Sequence, residues 1–600
     1  MAHVTANSTA PVLSVEDQLH AALAQAIGAA YPEHREADPI VRPSEHADVQ
    51  ANVALALAKK VGAPPREVAQ EIAAGLNDSP LVLTAEVSGP GFINITLTDS
   101  ALWNQIVERW AAQRLGVEQS QAGVRAVVDY SGPNIAKEMH VGHLRSSIIG
   151  DSLVRVLRFL GSEVAIQNHL GDWGTQFGML IQYLDEHPDA TWRAADLTDE
   201  SPVAALDNLY KAARTEFDSD PEFADRSRRR VVALQSGDEA TLAVWREIVA
   251  ESERFFTSVY ERLGLLIQAE DSAPESFYNP MLDDVAHELE RLGIAHVSDG
   301  ALVVLSEEIT GQDDQPAVLM VRKSDGAYGY DTTDLATLRY RINELKAQRI
   351  LYVVGAPQSL HFHLVFEAGR RAGWLTDDIQ AKHVQFGSVL GPDGKPFKTR
   401  SGESAKLMDL ITEAVDAAYE VVKETKGEEG LSEDELRSIA EQAGIAAIKY
   451  ADLSSNRIRD YTFDPQRMVS FTGNTGVYLQ YAHTRLASIL RRAHESDLAV
   501  VAPESLAPQA SELEDAERSL ILMLDRFATA VHTVGHTLEP HTLCNYAYDL
   551  ARTFTEFYDA CPVLTSQGEV RDRRLALVDL TKRTLAHVLE LLGIAAPERM

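Results

Sequence analysis

Between Val124 and Gln167 the chain spells out strand, turn, helix and strand, and no other stretch so narrows the folds open to it. VRAVVDY is an apolar run of strand length that ends on an acid, and the turn SGPN follows. Leu144, Ile148, Leu153, Val156, Leu157 and Leu160 then recur at helical spacing, with Gly161 placed to end the helix. A second apolar run, EVAIQ, opens at Glu163. Together these make a βαβ unit, whose parallel strands need a larger buried sheet around them.

The rest of that sheet lies far along the chain. Residues 186–322 read as an insertion of acidic helices that includes the run RSRRR at 226–230. Two more strand candidates follow, RILYVVG ending at Gly355 and HVQFGSVLG ending at Gly391. The reading is an α/β, doubly wound, Rossmann-like catalytic domain over residues 120–405. Before it, residues 1–115 combine a helical ANVALALAKKVG with a strand-like GFINITL, which predicts a small α+β domain. After Lys406 long amphipathic patterns predict an all-α region over 406–600, with SDLAVVAPESLAPQAS at 496–511 as a linker between helices.

Composition sets outer bounds. A chain of 600 residues is too long for one core, and 45% hydrophobic with 24% charged residues is ordinary for water-soluble proteins. The net charge of -34 argues against a nucleic-acid partner, although a local basic face can exist on an acidic protein. Two cysteines, Cys544 and Cys561, are too few for a disulfide framework and suit a reducing cytosol. There is neither a secretory leader pattern nor a run of 18 apolar residues, so a cytoplasmic protein without membrane contact is expected.

The chemistry concentrates in the turn, SGPNIAKEMHVGHLRS at 131–146. A metal site, a phosphate-binding turn and a structural helix cap all fit His140 and His143. A metal would need further ligands, and no cluster is evident in the sequence. A phosphate fits better, because the turn lies beyond a strand end and opens onto a helix N-terminus that attracts anions. Gly142 lets a base or ribose approach the backbone, the imidazoles can donate to phosphate oxygens, and Lys137 adds a positive charge.

His140-Val141-Gly142-His143 resembles the HIGH signature of class I aminoacyl-tRNA synthetases. VDYSGPNIAKEMHVGHLRSSIIGD and GDWGTQFG at 171–178 are similar specifically to arginyl-tRNA synthetases of bacterial type. The likeness continues through YDTTDLATLRYR from Tyr330, VVGAPQSLHF from Val353, GKPFKTRSG from Gly394, GNTGVYLQYAHTR from Gly473 and the closing PERM. The resemblance implies ligation of L-arginine to its tRNA in two steps, an ATP-dependent adenylate and then transfer to the terminal adenosine. ATP would be a substrate carrying Mg2+, with no structural metal, and the enzyme would be a monomer.

By the same resemblance His140, Gly142 and His143 contact ATP. The second class I signature, KMSKS, is imperfect: aligned on Phe397, it meets Pro396 at its first lysine and Thr399 at the usual catalytic lysine. Lys137 is then the residue that substitutes, with Lys398 and Arg400 as phosphate contacts. Tyr330 and Asp334 match the pair that binds the guanidinium, Asp129 a second acid there, and Asn134 and Gln358 the residues holding the amino acid's polar end. A carboxylate paired with guanidinium rejects lysine by leaving hydrogen bonds unmade, so no editing domain is demanded. Tyr478, Tyr481, His483 and Arg485 are the candidates for anticodon contact, the insertion would help bind the acceptor arm, and the N-terminal module would meet the tRNA elbow. Two rivals are a small-molecule nucleotidyltransferase, which would not need the helical C-terminal region, and a non-catalytic synthetase-like RNA-binding protein, which would not need intact histidines.

Overall fold

The computed structural model describes residues 10–600 apart from 45, 195–196, 198–200, 312–313, 392, 396, 398–404, 427–430 and 507–511. Its central sheet has four parallel strands in the order Gln380–His383, Arg349–Tyr352, Arg125–Asp129, Glu163–Gln167. Side chains alternate across it: Ala126, Val128 and Leu351 join one hydrophobic core, while Val127, Ile350 and Tyr352 join another. With both faces covered, every strand residue can be apolar, which is why these strands read as continuous hydrophobic runs.

The expected βαβ unit is present, with helix Val141–Phe159 joining strands Arg125–Asp129 and Glu163–Gln167. Strand Arg125–Asp129 has its sequence successor on one side and the much later Arg349–Tyr352 on the other. The order therefore reverses between these two strands, and a crevice opens beyond their carboxyl ends.

HVQFGSVLG is not one strand. Gln380–His383 stays in the sheet, whereas Val389–Leu390 pairs in parallel with Tyr461–Thr462. The break falls at Gly387, whose N–H donates to the Arg457 carbonyl at 2.9 Å. A Cβ there would come within 2.7 Å of the Arg459 carbonyl carbon, so only glycine lets the two segments meet.

After helix Thr175–Glu186 the insertion runs through helices Pro202–Ser219, Pro221–Gln235 and Glu239–Leu263 and ends in an antiparallel sheet of Ala295–Ser298, Ala301–Thr310 and Pro316–Arg322. Two arginines of RSRRR tie helix Pro221–Gln235 to helix Thr175–Glu186, Arg226 bridging to Glu186 at 2.6 Å and Arg230 to Asp185, while Arg229 pairs with Asp225 within its own helix at 2.8 Å. In the N-terminal region, helices pack on an antiparallel sheet ordered Val41–Pro43, Val49–Ala51, Phe92–Leu97, Val82–Ser88. That region docks on the C-terminal helices through Arg109, paired with Asp525 at 2.7 Å, both buried, and through Arg518, held between Asp48 and Asp99.

After Lys406 the described chain is almost wholly helical, and 496–511 does separate helix Gly476–Glu495 from Asp515–Asp525. Helix Glu433–Leu453 is tied to helix Val141–Phe159 of the catalytic domain by a buried ion pair, Arg145 to Asp452 at 3.1 Å. Among the described residues no helix is long and apolar enough to cross a membrane. Both cysteines are free and buried.

Candidate active site

A cavity of about 500 Å³ opens at the crevice beyond the strand ends. Asp129 to Gly132 and Val353 to Gln358 contribute its floor from the two strands flanking the order reversal. The turn between them is held in an unusual shape, with Ser131 at φ 75° and Ala136 at φ 61°. Non-glycine residues occupy that region at a cost of about 1–3 kcal/mol, sustained where the surroundings over-determine the turn. Here the Ser131 N–H donates to Ser146 Oγ at 2.9 Å and the Ala136 N–H to Ser252 Oγ at 3.0 Å.

The two histidines cap helix Val141–Phe159 reciprocally. The Gly142 N–H donates to His140 Nδ1, and the His140 N–H donates to His143 Nδ1, both at 3.0 Å. The cap thus occupies Nδ1 of each ring and leaves Nε2 for a ligand. With Nδ1 accepting, each neutral ring carries its proton on Nε2 and can donate it outward. Desolvation lowers His140, assisted by the nearby Lys137 charge, and pushes His143 down to about 3, so both rings are neutral near pH 7. Gly142 is required by proximity, since a Cβ would sit 2.9 Å from His140 Cε1.

Asp129, Asn134, His140, Gly142, His143, Tyr330, Asp334 and Gln358 all line this one cavity. Asn134 and Gln358 are open to solvent, as is the Tyr330 ring at 64% exposure. Gly171 leaves room for Asn134, because a Cβ on it would collide with the amide oxygen.

Several expectations change. Lys137 is not on the cavity wall; its Nζ lies 4.5 Å from the centre of the Tyr210 ring. Asp129 already has a guanidinium, because its Oδ2 accepts from Arg341 at 2.8 Å, and Arg341 also donates to Gln167 at 2.6 Å. It is a buried wall residue with its charge matched internally. Lys398 and Arg400 lie outside the described residues. The chain re-enters beside the histidine turn, where the Val141 N–H donates to the Ala405 carbonyl at 3.2 Å and the Leu407 N–H to Met139 at 2.8 Å.

Glu275 and His169 also line the cavity, and neither was expected. Glu275 comes from the insertion, on the short helix Glu275–Tyr278 that Asp172 fixes by accepting from the Ser276 N–H at 2.9 Å. Burial, then the charges of Asp172 and Asp334, raise Glu275 to about 7. His169 presents an Nδ1 with no hydrogen-bond partner among the described residues. Nothing local in PESFYN marks Glu275; the only sequence cue is that Asp172 belongs to GDWG.

Of the anticodon candidates, His483 is 1% exposed with Nδ1 2.9 Å from the Pro597 carbonyl, so it is unable to stack on a base. Tyr478 is half-buried against Tyr548, Arg485 lies over the Tyr558 ring, and Tyr481 remains 42% exposed. The set of potential metal ligands found among the described residues, Glu308, His363 and Glu367, lies off the cavity wall. Its carboxylates are already bonded to Arg370, Ser306 and the Glu307 N–H.

The fold is that of a class I aminoacyl-tRNA synthetase: residues 106–465 match the family described as tRNA synthetases class I (R), catalytic domain. Residues 479–600 match the DALR anticodon binding domain, and 17–97 the arginyl tRNA synthetase N terminal domain. The chain belongs to the arginyl-tRNA synthetases. It is 60% identical over 592 residues to the arginine–tRNA ligase of Frankia casuarinae, covering 98% of this chain and 99% of that protein. It is 50% identical to the corresponding ligase of Streptomyces avermitilis, covering 98% and 100%. The solved arginyl-tRNA synthetase of Plasmodium falciparum superposes with a TM-score of 0.81 at 29% identity over 98% of this chain and all of that one. That of Thermus thermophilus gives 0.78 at 26% identity over 97% and 99%.

Proposed function

We propose that this arginine–tRNA ligase binds ATP at the histidine end of the cavity and arginine at its acidic end, and joins them there. The observation that carries this reading is the shared cavity, lined both by the neutral N–H donors of His140 and His143 and by the carboxylates of Asp334 and Glu275. The arginine carboxylate attacks the α-phosphorus, the bond to the β-phosphate breaks, and pyrophosphate leaves with the electron pair. A ribose hydroxyl of the tRNA's terminal adenosine then attacks the arginyl carbonyl, and AMP departs.

No side-chain nucleophile is needed, so catalysis rests on positioning and on donors aimed at developing charge. His140 and His143 supply Nε2–H to phosphate oxygens, and Gly142 admits the nucleoside. Lys137 leaves the Tyr210 ring to meet the phosphates, and Lys398 and Arg400 join it there. Mg2+ arrives with ATP as part of the substrate. Asp334, Glu275 and the Tyr330 hydroxyl receive the guanidinium, while Asn134 and Gln358 hold the α-amino and carboxylate end. We further propose that residues 1–115 and 406–600 hold the tRNA, Tyr481 at the anticodon among them, and that the enzyme works as a cytoplasmic monomer.

His140→Ala and Lys137→Ala test the nucleotide end. Each should lower arginine-dependent ATP–pyrophosphate exchange by roughly 100-fold or more, the scale of losing one preorganised donor, with an unchanged circular dichroism spectrum. Full exchange by a well-folded variant removes that residue from the mechanism.

A further inference from the structure

We propose that His361 is a positioning residue of the arginine site, holding Asp334 by one carboxylate oxygen so that the other is presented to the guanidinium. The proposal rests on the role given to Asp334 above. His361 lies in the first turn of helix Ser359–Arg371, and both of its nitrogens face acids on the neighbouring helix Tyr330–Asn343. Nε2 is 2.6 Å from Asp334 Oδ2, and Nδ1 is 3.2 Å from Asp331 Oδ1. Asp331 is anchored in turn, because its Oδ2 accepts from the Met320 N–H at 2.8 Å and the residue is buried. The chain of contacts runs from a strand backbone through Asp331 and His361 to the acid on the cavity wall. His361 does not itself line the cavity.

Charge balance explains why a histidine stands there. Asp331 and Asp334 lie one helical turn apart and would repel if both faced the same space unpaired. Burial alone would lower His361, but hydrogen bonds to the two aspartates outweigh it and raise the imidazole to about 9. At neutral pH it is an imidazolium, bonded through Nε2 to Asp334 and turning Nδ1 toward the Asp331 carboxylate. The other ionisable groups around this pair are Glu275, whose carboxyl the Asp334 charge helps to raise; Tyr330, whose ring lies 5.1 Å from that of His361; and His383 on the adjoining strand, bonded to the Val354 carbonyl. With Oδ2 engaged, Asp334 offers the substrate a single oriented oxygen. A guanidinium must then take its second partner elsewhere on the wall, which makes recognition depend on the planar spread of its N–H groups.

Two conservative substitutions separate the nitrogens. The amide of His361→Gln reaches where Nε2 was and keeps the bond to Asp334; that of His361→Asn reaches where Nδ1 was and keeps only Asp331. Steady-state exchange should give His361→Gln a KM for arginine within about threefold of wild type. His361→Asn should raise it roughly tenfold, the scale of one charge-assisted hydrogen bond, with the KM for ATP unmoved and kcat changed less than KM. Equal arginine KM values for the two variants, or parallel rises for arginine and ATP, would overturn the proposal and leave His361 a packing residue. Asp334→Asn is the control for the underlying site: if it leaves the arginine KM unchanged, the assignment of Asp334 fails. If it raises KM while His361→Asn does not, the site stands and the role of His361 falls.

Discussion

At Glu275 burial and two neighbouring negative charges act in the same direction, lifting the carboxyl to about 7. A guanidinium bound beside it favours the ionised form, so arginine binding should release a proton near neutrality. The sign follows directly: below pH 7 the protonated acid must ionise before it can pair, and the KM for arginine should climb by up to about tenfold per pH unit. Glu275→Gln should flatten that dependence while raising KM at pH 8; a wild-type KM constant from pH 6 to 8 contradicts the assignment. That His140, Gly142 and His143 open a helix beside a cavity was legible in the sequence, because the strand, turn and helix cap that place them form one local pattern. Glu275 was not, because it enters from an insertion more than a hundred residues away. Asp129 lines the cavity, but its pairing with the guanidinium of Arg341, 212 positions along the chain, is something no local pattern shows.

Helix Val141–Phe159 joins the chemistry to the scaffold. Its N-terminus carries the histidines, and one turn further in Arg145 is buried against Asp452 and the rings of Tyr461 and Phe386. Arg145 NH1 also donates to the Arg459 carbonyl at 3.0 Å. Arg145→Ala would strand Asp452 as an unpaired buried carboxylate, a loss of about 3–5 kcal/mol, and should bring the thermal transition earlier. A variant melting with wild type would show that the pair does not hold the stem helix in place. The βαβ unit was readable because periods of 2 and 3.6 succeed one another cleanly there. HVQFGSVLG misled because periodicity does not report which sheet a residue joins, and the close approach that splits it at Gly387 involves residues 457–460.

Across the whole molecule, the N-terminal and C-terminal regions meet through Arg109–Asp525, Arg518 with Asp48 and Asp99, and the Trp110 indole donating to Asp579 at 2.9 Å. The three-part organisation followed from shifts in pattern along the chain, whereas the net charge of -34 pointed away from a tRNA-handling family because summed charge hides local faces. Tyr481 is the most exposed of the proposed anticodon residues, and base stacking on an aromatic is worth about 1–3 kcal/mol. Tyr481→Ala should therefore raise the KM for tRNA roughly tenfold without altering the KM for ATP; an unchanged KM for tRNA would move the anticodon contact elsewhere. The most direct test of the joint nucleotide and arginine site is ATP–pyrophosphate exchange with each of the twenty amino acids, run with and without tRNA. The geometry predicts exchange with arginine alone, lost in Asp334→Asn, whereas exchange with another amino acid, or with none under either condition, would contradict it.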